Sequence, residues 1–246
     1  MKINFSYLSK KGLKSSVNQD NITVPLSQYN TQKKGWLFIV CDGVGGYPGG
    51  DIASKMCSEM MLKDYYEADK IDNIPRWFDN EIEKINKIIH DKGSKDKKLT
   101  NMSTTMVSLL LKDDQAYIHN VGDSRVYIFT EDKLKQITED HSVVWDHYQQ
   151  GIITKDEIIN SNIKHLLTEA IGLKSELKIN KYTIPLPKEY TFLLCSDGLT
   201  DVTIDSKIED IIRTTPDLQR SVEHLYQLAL GNSSRDDVTL ICLKNI

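Results

Sequence analysis

Short runs of branched and aromatic residues recur along the chain, at Trp36–Cys41, Thr105–Leu111, Ala116–Val121, Arg125–Thr130, Tyr190–Cys195 and Val238–Leu243. Each is bounded by polar residues or Gly and has the length of a strand, so the pattern predicts β-structure at all of them. From Leu109 to Ile137 these runs follow so closely that the segment reads as a strand meander. Its turns are expected at Lys112–Gln115, Gly122–Ser124 and Glu131–Lys133.

Three segments carry a helical period instead. In Asp51–Tyr66 the sets Ile52/Met56/Met60 and Ala53/Cys57/Met61 each recur four residues apart. Pro75–Asp91 places Trp77, Phe78, Ile82, Ile85 and Ile89 on one face, with Pro75 suited to a first helical turn. Leu218–Leu230 does the same with Leu218, Val222, Leu225 and Ala229, and Gly231 is a natural stop. These stripes are read as core faces. Asp91–Ser103 is polar and is expected to be a flexible loop. The stretch between Asp140 and Tyr182 reads as short helices inserted after the meander. Strands run throughout with no regular βαβ alternation, which predicts a single α+β domain over residues 1–246 with largely antiparallel sheets.

Composition changes this picture little. The chain has 246 residues, 39% hydrophobic and 27% charged, with a formal net charge of −4. That offers no basic footprint for nucleic acid and no polybasic patch for a membrane surface. No apolar run has the length of a membrane span, and the first residues lack the apolar core of a secretory signal. Cys41, Cys57, Cys195 and Cys242 are far apart in apolar surroundings and form no zinc-type pair, so buried thiols in a reducing cytoplasm are expected.

Acidic residues at strand ends matter more. Asp42 follows LFIVC and precedes a segment with five glycines in eight residues; Asp197 follows FLLCS in a similar phrase. Asp123 follows AYIHNVG, Asp236 precedes a strand, and Asp20 follows SVNQ near the first strand. One Asp-Gly pair is usually just a turn. Five acids in matching contexts, with only Arg125 and Arg235 as nearby arginines, favour convergence on a cation, because buried carboxylates repel one another. Ligands that are all oxygen select a hard divalent ion such as Mg²⁺ or Mn²⁺. Gly43 is then suited to offer its carbonyl to a metal, and Gly45 and Gly46 to let backbone approach an anion. No P-loop, dinucleotide-binding or serine-hydrolase motif is present.

In order along the chain, SVNQD (16–20), CDGVGG (41–46), STT (103–105), VGDSRVY (121–127), TEDHS (138–142), CSDGLTD (195–201) and RDDVTL (235–240) resemble the metal-dependent serine/threonine protein phosphatases of the PPM, or type 2C, family. The resemblance implies a four-layer αββα sandwich, two stacked antiparallel β-sheets flanked by helices, with metals at one edge. By position, it implies that Asp42 bridges two central Mn²⁺ or Mg²⁺ ions and that the Gly43 carbonyl ligates one of them. It also implies that Asp197 and Asp236 complete the first metal's protein ligands, and that Asp20 is a ligand or acts through water. Asp123 matches the site of a third, looser ion, and His141 is either part of that site or a structural hydrogen-bonding residue. Residues 143–181 match a flap beside the cleft. The implied chemistry is direct attack of water on phosphorus, so Ser196 and Cys195 are read as packing or turn residues rather than nucleophiles.

Several positions depart from the family pattern. Ser15 stands where an arginine usually grips the substrate phosphate; Lys14 is the candidate replacement, though an ammonium lacks the guanidinium fork. Gln19 replaces a frequent glutamate, and Asp237 replaces the usual Asn. Val44 occupies the place of a histidine proposed as general acid in eukaryotic relatives, which would leave protonation to a water. The expected activity is hydrolysis of phosphoserine and phosphothreonine in proteins by a monomer, opposing a kinase. The alternatives are a pseudophosphatase that binds phosphoproteins and a hydrolase of small phosphate monoesters.

Overall fold

The computed structural model describes residues 1–14, 16–46 and 48–246. One five-stranded sheet has the order β1 (Ile3–Lys10), β10 (Val238–Asn245), β9 (Thr191–Cys195), β6 (Arg125–Thr130), β7 (Lys133–Gln136). The other has the order β2 (Asp20–Thr23), β3 (Trp36–Asp42), β4 (Met106–Lys112), β5 (Gln115–Val121), β8 (Asn180–Pro185). Every neighbouring pair is antiparallel.

The continuous apolar runs are explained by burial on two faces. In β3, Phe38 and Val40 enter the space between the sheets, where they join Val107, Ile118, Phe192 and Ile241. Leu37, Ile39 and Cys41 point the other way, onto α2 (Gly50–Glu67) and α3 (Ile74–Lys95). The first sheet repeats this arrangement. Leu194 and Leu243 face inward, while Leu193, Cys195, Leu240 and Cys242 pack beneath α7 (Asp205–Thr214) and α8 (Leu218–Gly231). The result is the αββα stacking that the sequence resemblance implies. All four cysteines are buried and unpaired. No helix of the described residues is long and apolar enough to cross a membrane.

The meander expected over Leu109–Ile137 is not formed. Its first and last turns are tight hairpins, with Asp113 and Asp114 at φ 50 and 59 and Glu131 and Asp132 at φ 51 and 60; both central residues at positive φ match the twist of the flanking strands. The middle turn is different. β5 pairs with β4 and β8, whereas β6 pairs with β9 and β7, so Gly122–Ser124 carries the chain from one sheet to the other. Gly122 has φ +103, and a Cβ there would lie 2.6 Å from the Thr105 side chain.

The expected loop Asp91–Ser103 is also partly helical. α3 continues to Lys95, followed by a 3₁₀ turn at Lys97–Leu99. Gly93 on the buried stripe lets Leu99 and Met102 close over the helix end, since a Cβ there would lie 2.9 Å from the Leu99 carbonyl oxygen. Within residues 143–181, α4 (Val143–Gln149) and α5 (Lys155–Ile158) enclose a small core of Val144, Trp145 and Ile158. Short helices α1 (Thr31–Lys34) and α6 (Asp197–Thr200) complete the set named here.

Candidate active site

The acidic residues meet at one end of the sandwich because strands from both sheets stop there. Asp42, the last residue of β3, lies opposite Asp20 in the β2–β3 ladder. Its backbone is clamped: the N–H donates to Thr105 Oγ1 at 3.0 Å, and its carbonyl accepts from Thr104 Oγ1 and the Thr105 N–H, both at 2.8 Å. Thr105 Oγ1 is itself 2.7 Å from Ser124 Oγ, which ties this sheet to the crossover turn bearing Asp123.

Gly43 then passes against the start of α2. Its N–H donates to the Gln19 carbonyl, and a Cβ would sit 2.4 Å from Gly50 carbonyl atoms, so no larger residue fits without moving the loop. Gly45 and Gly46 face open space. From the other sheet, Asp197 opens α6 directly after β9, and Asp236 lies two residues before β10. The adjacent Asp237 carboxylate accepts the N–H groups of Gly12 and Gln19, each at 2.7 Å, and so fastens the N-terminal loop beside the site.

Asp42, Gly43, Asp123, Asp197, Asp236 and Lys14 all line one cavity of about 580 Å³, together with Gln19, Val44, Thr105, His165, Leu167 and Asp237. Asp20 stands behind it. One of its oxygens accepts the Ser196 hydroxyl at 2.8 Å, and Oδ1 is buried with no partner. Ser196 Oγ also accepts the Thr239 N–H at 3.0 Å and is fully buried, consistent with a packing role. His141 Nδ1 accepts the Gly122 N–H at 3.2 Å, which makes His141 a support of the crossover. Ser15 lies outside the described residues.

The electrostatics are unfavourable without a cation. Burial pushes the Asp42 and Asp197 carboxyls well above the usual range, although each keeps a partly exposed edge; neighbouring carboxylates push them further, Asp20 foremost for Asp42 and Asp201 for Asp197. Asp123 is pushed up to about 8, by burial first and then by Asp140 and Asp201. Asp20 is pushed up to about 7, again chiefly by burial. Of the nearest basic groups, Arg125 is committed elsewhere and Lys14 is bonded to a single acid of the cluster. Arg125 holds Asp140 through Nε and Nη2, the latter at 2.6 Å, and donates to the Tyr127 hydroxyl. Lys14 Nζ is 2.5 Å from Asp236 Oδ2. Burial opposes the Lys14 charge, yet the bond to Asp236 and the pull of Asp197 and Asp201 leave its pKa raised.

Among the described residues, no three acid, thiol or imidazole side chains are close enough together to ligate an ion as they stand. The donor set nonetheless fits a hard cation. It is all oxygen, it carries excess negative charge, and Asp197 Oδ1 is buried with no hydrogen-bond partner. Sequence reasoning missed the flap residues that reach the cavity, His165 and Leu167, and the neighbouring Lys164, whose ammonium donates to the Asp201 carbonyl at 2.6 Å. No local motif marks them, because only the path of the flap brings them to the site.

Comparison with known proteins shows the family and the fold. The family model described as Protein phosphatase 2C matches residues 12–237. The chain belongs to that family. The serine/threonine phosphatase stp of Listeria welshimeri is 31% identical to this phosphatase 2C chain over 211 residues, covering 85% of this chain and 84% of stp. The protein phosphatase PhpP of Streptococcus pneumoniae is 30% identical over 237 residues, covering 96% and 94%. Among solved structures, serine/threonine phosphatase Stp1 from Staphylococcus aureus superposes with a TM-score of 0.92 at 28% identity, covering 100% of this chain and 96% of Stp1. The catalytic domain of PstP in complex with two manganese ions gives 0.82 at 25% identity, covering 98% and 97%.

Proposed function

We propose that this phosphatase 2C chain hydrolyses phosphoserine and phosphothreonine in proteins, opposing a serine/threonine kinase. The observation that carries the reading is the convergence of Asp42, Asp123, Asp197 and Asp236, from both sheets, on one cavity that holds an unpartnered buried Asp197 oxygen. Asp42, Gly43, Asp197 and Asp236 are assigned to two central Mn²⁺ or Mg²⁺ ions, Asp123 to a looser third, and Asp20 to support from behind Asp42. When bound, such ions supply Lewis acidity and charge neutralisation for in-line transfer of the phosphoryl group to water.

The chain's own residues do the rest. Lys14, at the cavity wall, is assigned to the substrate phosphate in the absence of an arginine at Ser15. The open space beside Gly45 and Gly46 leaves room for the phosphoryl oxygens. Cys195 and Ser196 are buried, and Ser196 is bonded on both sides, so neither is available as a nucleophile. We assign residues 1–246 to one catalytic domain in which the 143–181 flap contacts substrate. Four free, buried thiols support work in the reducing cytoplasm, and the chain is taken to act as a monomer.

The test is hydrolysis of an aryl phosphate and a phosphothreonine peptide with Mn²⁺, abolished by EDTA and by Asp197→Ala. Activity that survives both treatments would overturn the assignment. A folded chain inert towards both substrates would favour the phosphoprotein-binding alternative, and activity on small esters alone would favour the monoester hydrolase.

A further inference from the structure

Resting on the phosphatase reading, the geometry points to His165 of the flap as the group that protonates the leaving seryl or threonyl oxygen. An alkoxide is a poor leaving group, so its departure from phosphorus needs a proton. The walls of the cavity offer few sources. Its carboxylates are committed to cation binding, and the Thr105 hydroxyl is engaged by the Asp42 N–H and by Ser124. The Lys14 ammonium is held by Asp236. Gln19 has no exchangeable proton of suitable acidity, and Val44 and Leu167 have none to give.

His165 is the one imidazole among the described residues that line this cavity. It is exposed, and the structure gives its ring no side-chain hydrogen bond or ion pair. Histidine is the side chain that most often serves as general acid in such steps.

The surrounding backbone holds His165 in place. Leu167 forms a bridge with Ser142, the Val143 N–H donates to the Leu166 carbonyl, and the Thr168 N–H donates to the His141 carbonyl, both at 2.9 Å. On the other side, Lys164 donates to the carbonyls of Asp201 at 2.6 Å and Ile159 at 3.0 Å. Asp201 belongs to the turn that begins at Asp197, so the same bonds that anchor the flap set His165 against the acidic cluster. In the step itself, the oxygen of water bonds to phosphorus as the bond to the seryl oxygen breaks. The imidazolium proton moves to that departing oxygen, and the imidazole regains a proton released from the attacking water.

The test compares leaving groups. The His165→Gln protein, with Mn²⁺, is assayed on a phosphothreonine peptide and on p-nitrophenyl phosphate, whose phenolate departs without a proton. The loss of kcat on the peptide is expected to be on the order of 10²-fold and to exceed the loss on the aryl ester by at least about tenfold. Imidazole added to His165→Gly should restore part of the peptide activity. Equal losses on both substrates, or none on either, would overturn the proposal and return the proton to a water. A wild-type chain inactive on both substrates would instead sink the phosphatase reading, and this proposal with it.

Discussion

Asp123→Asn offers a direct measure of how far the acidic cluster strains the fold before any cation arrives. The native carboxyl is 8% exposed, and burial first, then Asp140 and Asp201, push it up to about 8 from an ordinary 3.8. A carboxyl raised in the fold leaves stability intact below the unfolded pKa and loses it as pH climbs towards the folded one. Between about pH 5 and about pH 8 the loss spans about three pKa units, a ceiling of about 4 kcal/mol at 1.36 kcal/mol per unit. For a chain of this size that corresponds to roughly 8–16 °C in Tm, and relaxation of the site will return only part of it. Asparagine keeps the shape and carries no charge. Thermal melts in EDTA should therefore show the variant gaining on the wild type as pH rises, and excess Mn²⁺ should narrow the gap by stabilising the wild type. Comparing the two proteins at each pH cancels other titrating groups. A gap that stays flat from about pH 5 to about pH 8 in EDTA would refute the picture of a carboxyl raised by burial and by its acidic neighbours.

Gly43→Ala would drive a methyl into Gly50 backbone atoms at 2.4 Å; about 1–3 kcal/mol of destabilisation in urea melts and a fall in phosphatase activity are expected. Arg125→Met would strip Asp140 of its bidentate partner in a buried setting, at a cost of about 3–5 kcal/mol by denaturant titration. His119 lies buried against Phe78, with ring centroids 4.5 Å apart, and burial lowers it from 6.5 to about 4. Its neutral form is the folded one, so stability should be full above about pH 6.5 and fall by up to roughly 3 kcal/mol as pH drops towards 4. His119→Leu should remove that component from the pH dependence of Tm.

The elements most readily seen in the sequence are those buried on both faces. β3 and β9 read as unbroken apolar runs because helices cover one side and the opposing sheet the other. β8 escaped notice because it alternates half-buried with exposed residues at a sheet edge, and α7 because few of its positions are apolar. The Gly122–Ser124 crossover was misread because Gly-Asp-Ser is good turn chemistry wherever it occurs. Strand periodicity also gives no information about the pairing partner. For the site, Asp42, Asp123, Asp197 and Asp236 were visible as acids at strand ends, and all four line the cavity. Asp20 shares that sequence context but is buried and absent from the cavity lining, a distinction that only the folded structure reveals. The resemblance placed a flap beside the cleft but not the residues it brings there, since His165 sits in a stretch with no motif.

The pairing of β1 with β10 has a consequence during synthesis. β1 is made well before its neighbour, which follows Asp236 and leaves the ribosome more than two hundred residues later. Until then the first sheet has a gap between β1 and β9, and the acid next to β10 is missing. A nascent or prematurely terminated chain therefore lacks one acid of the proposed ion site, and fragments of this protein should not strip phosphate from a cell's proteins before folding is finished.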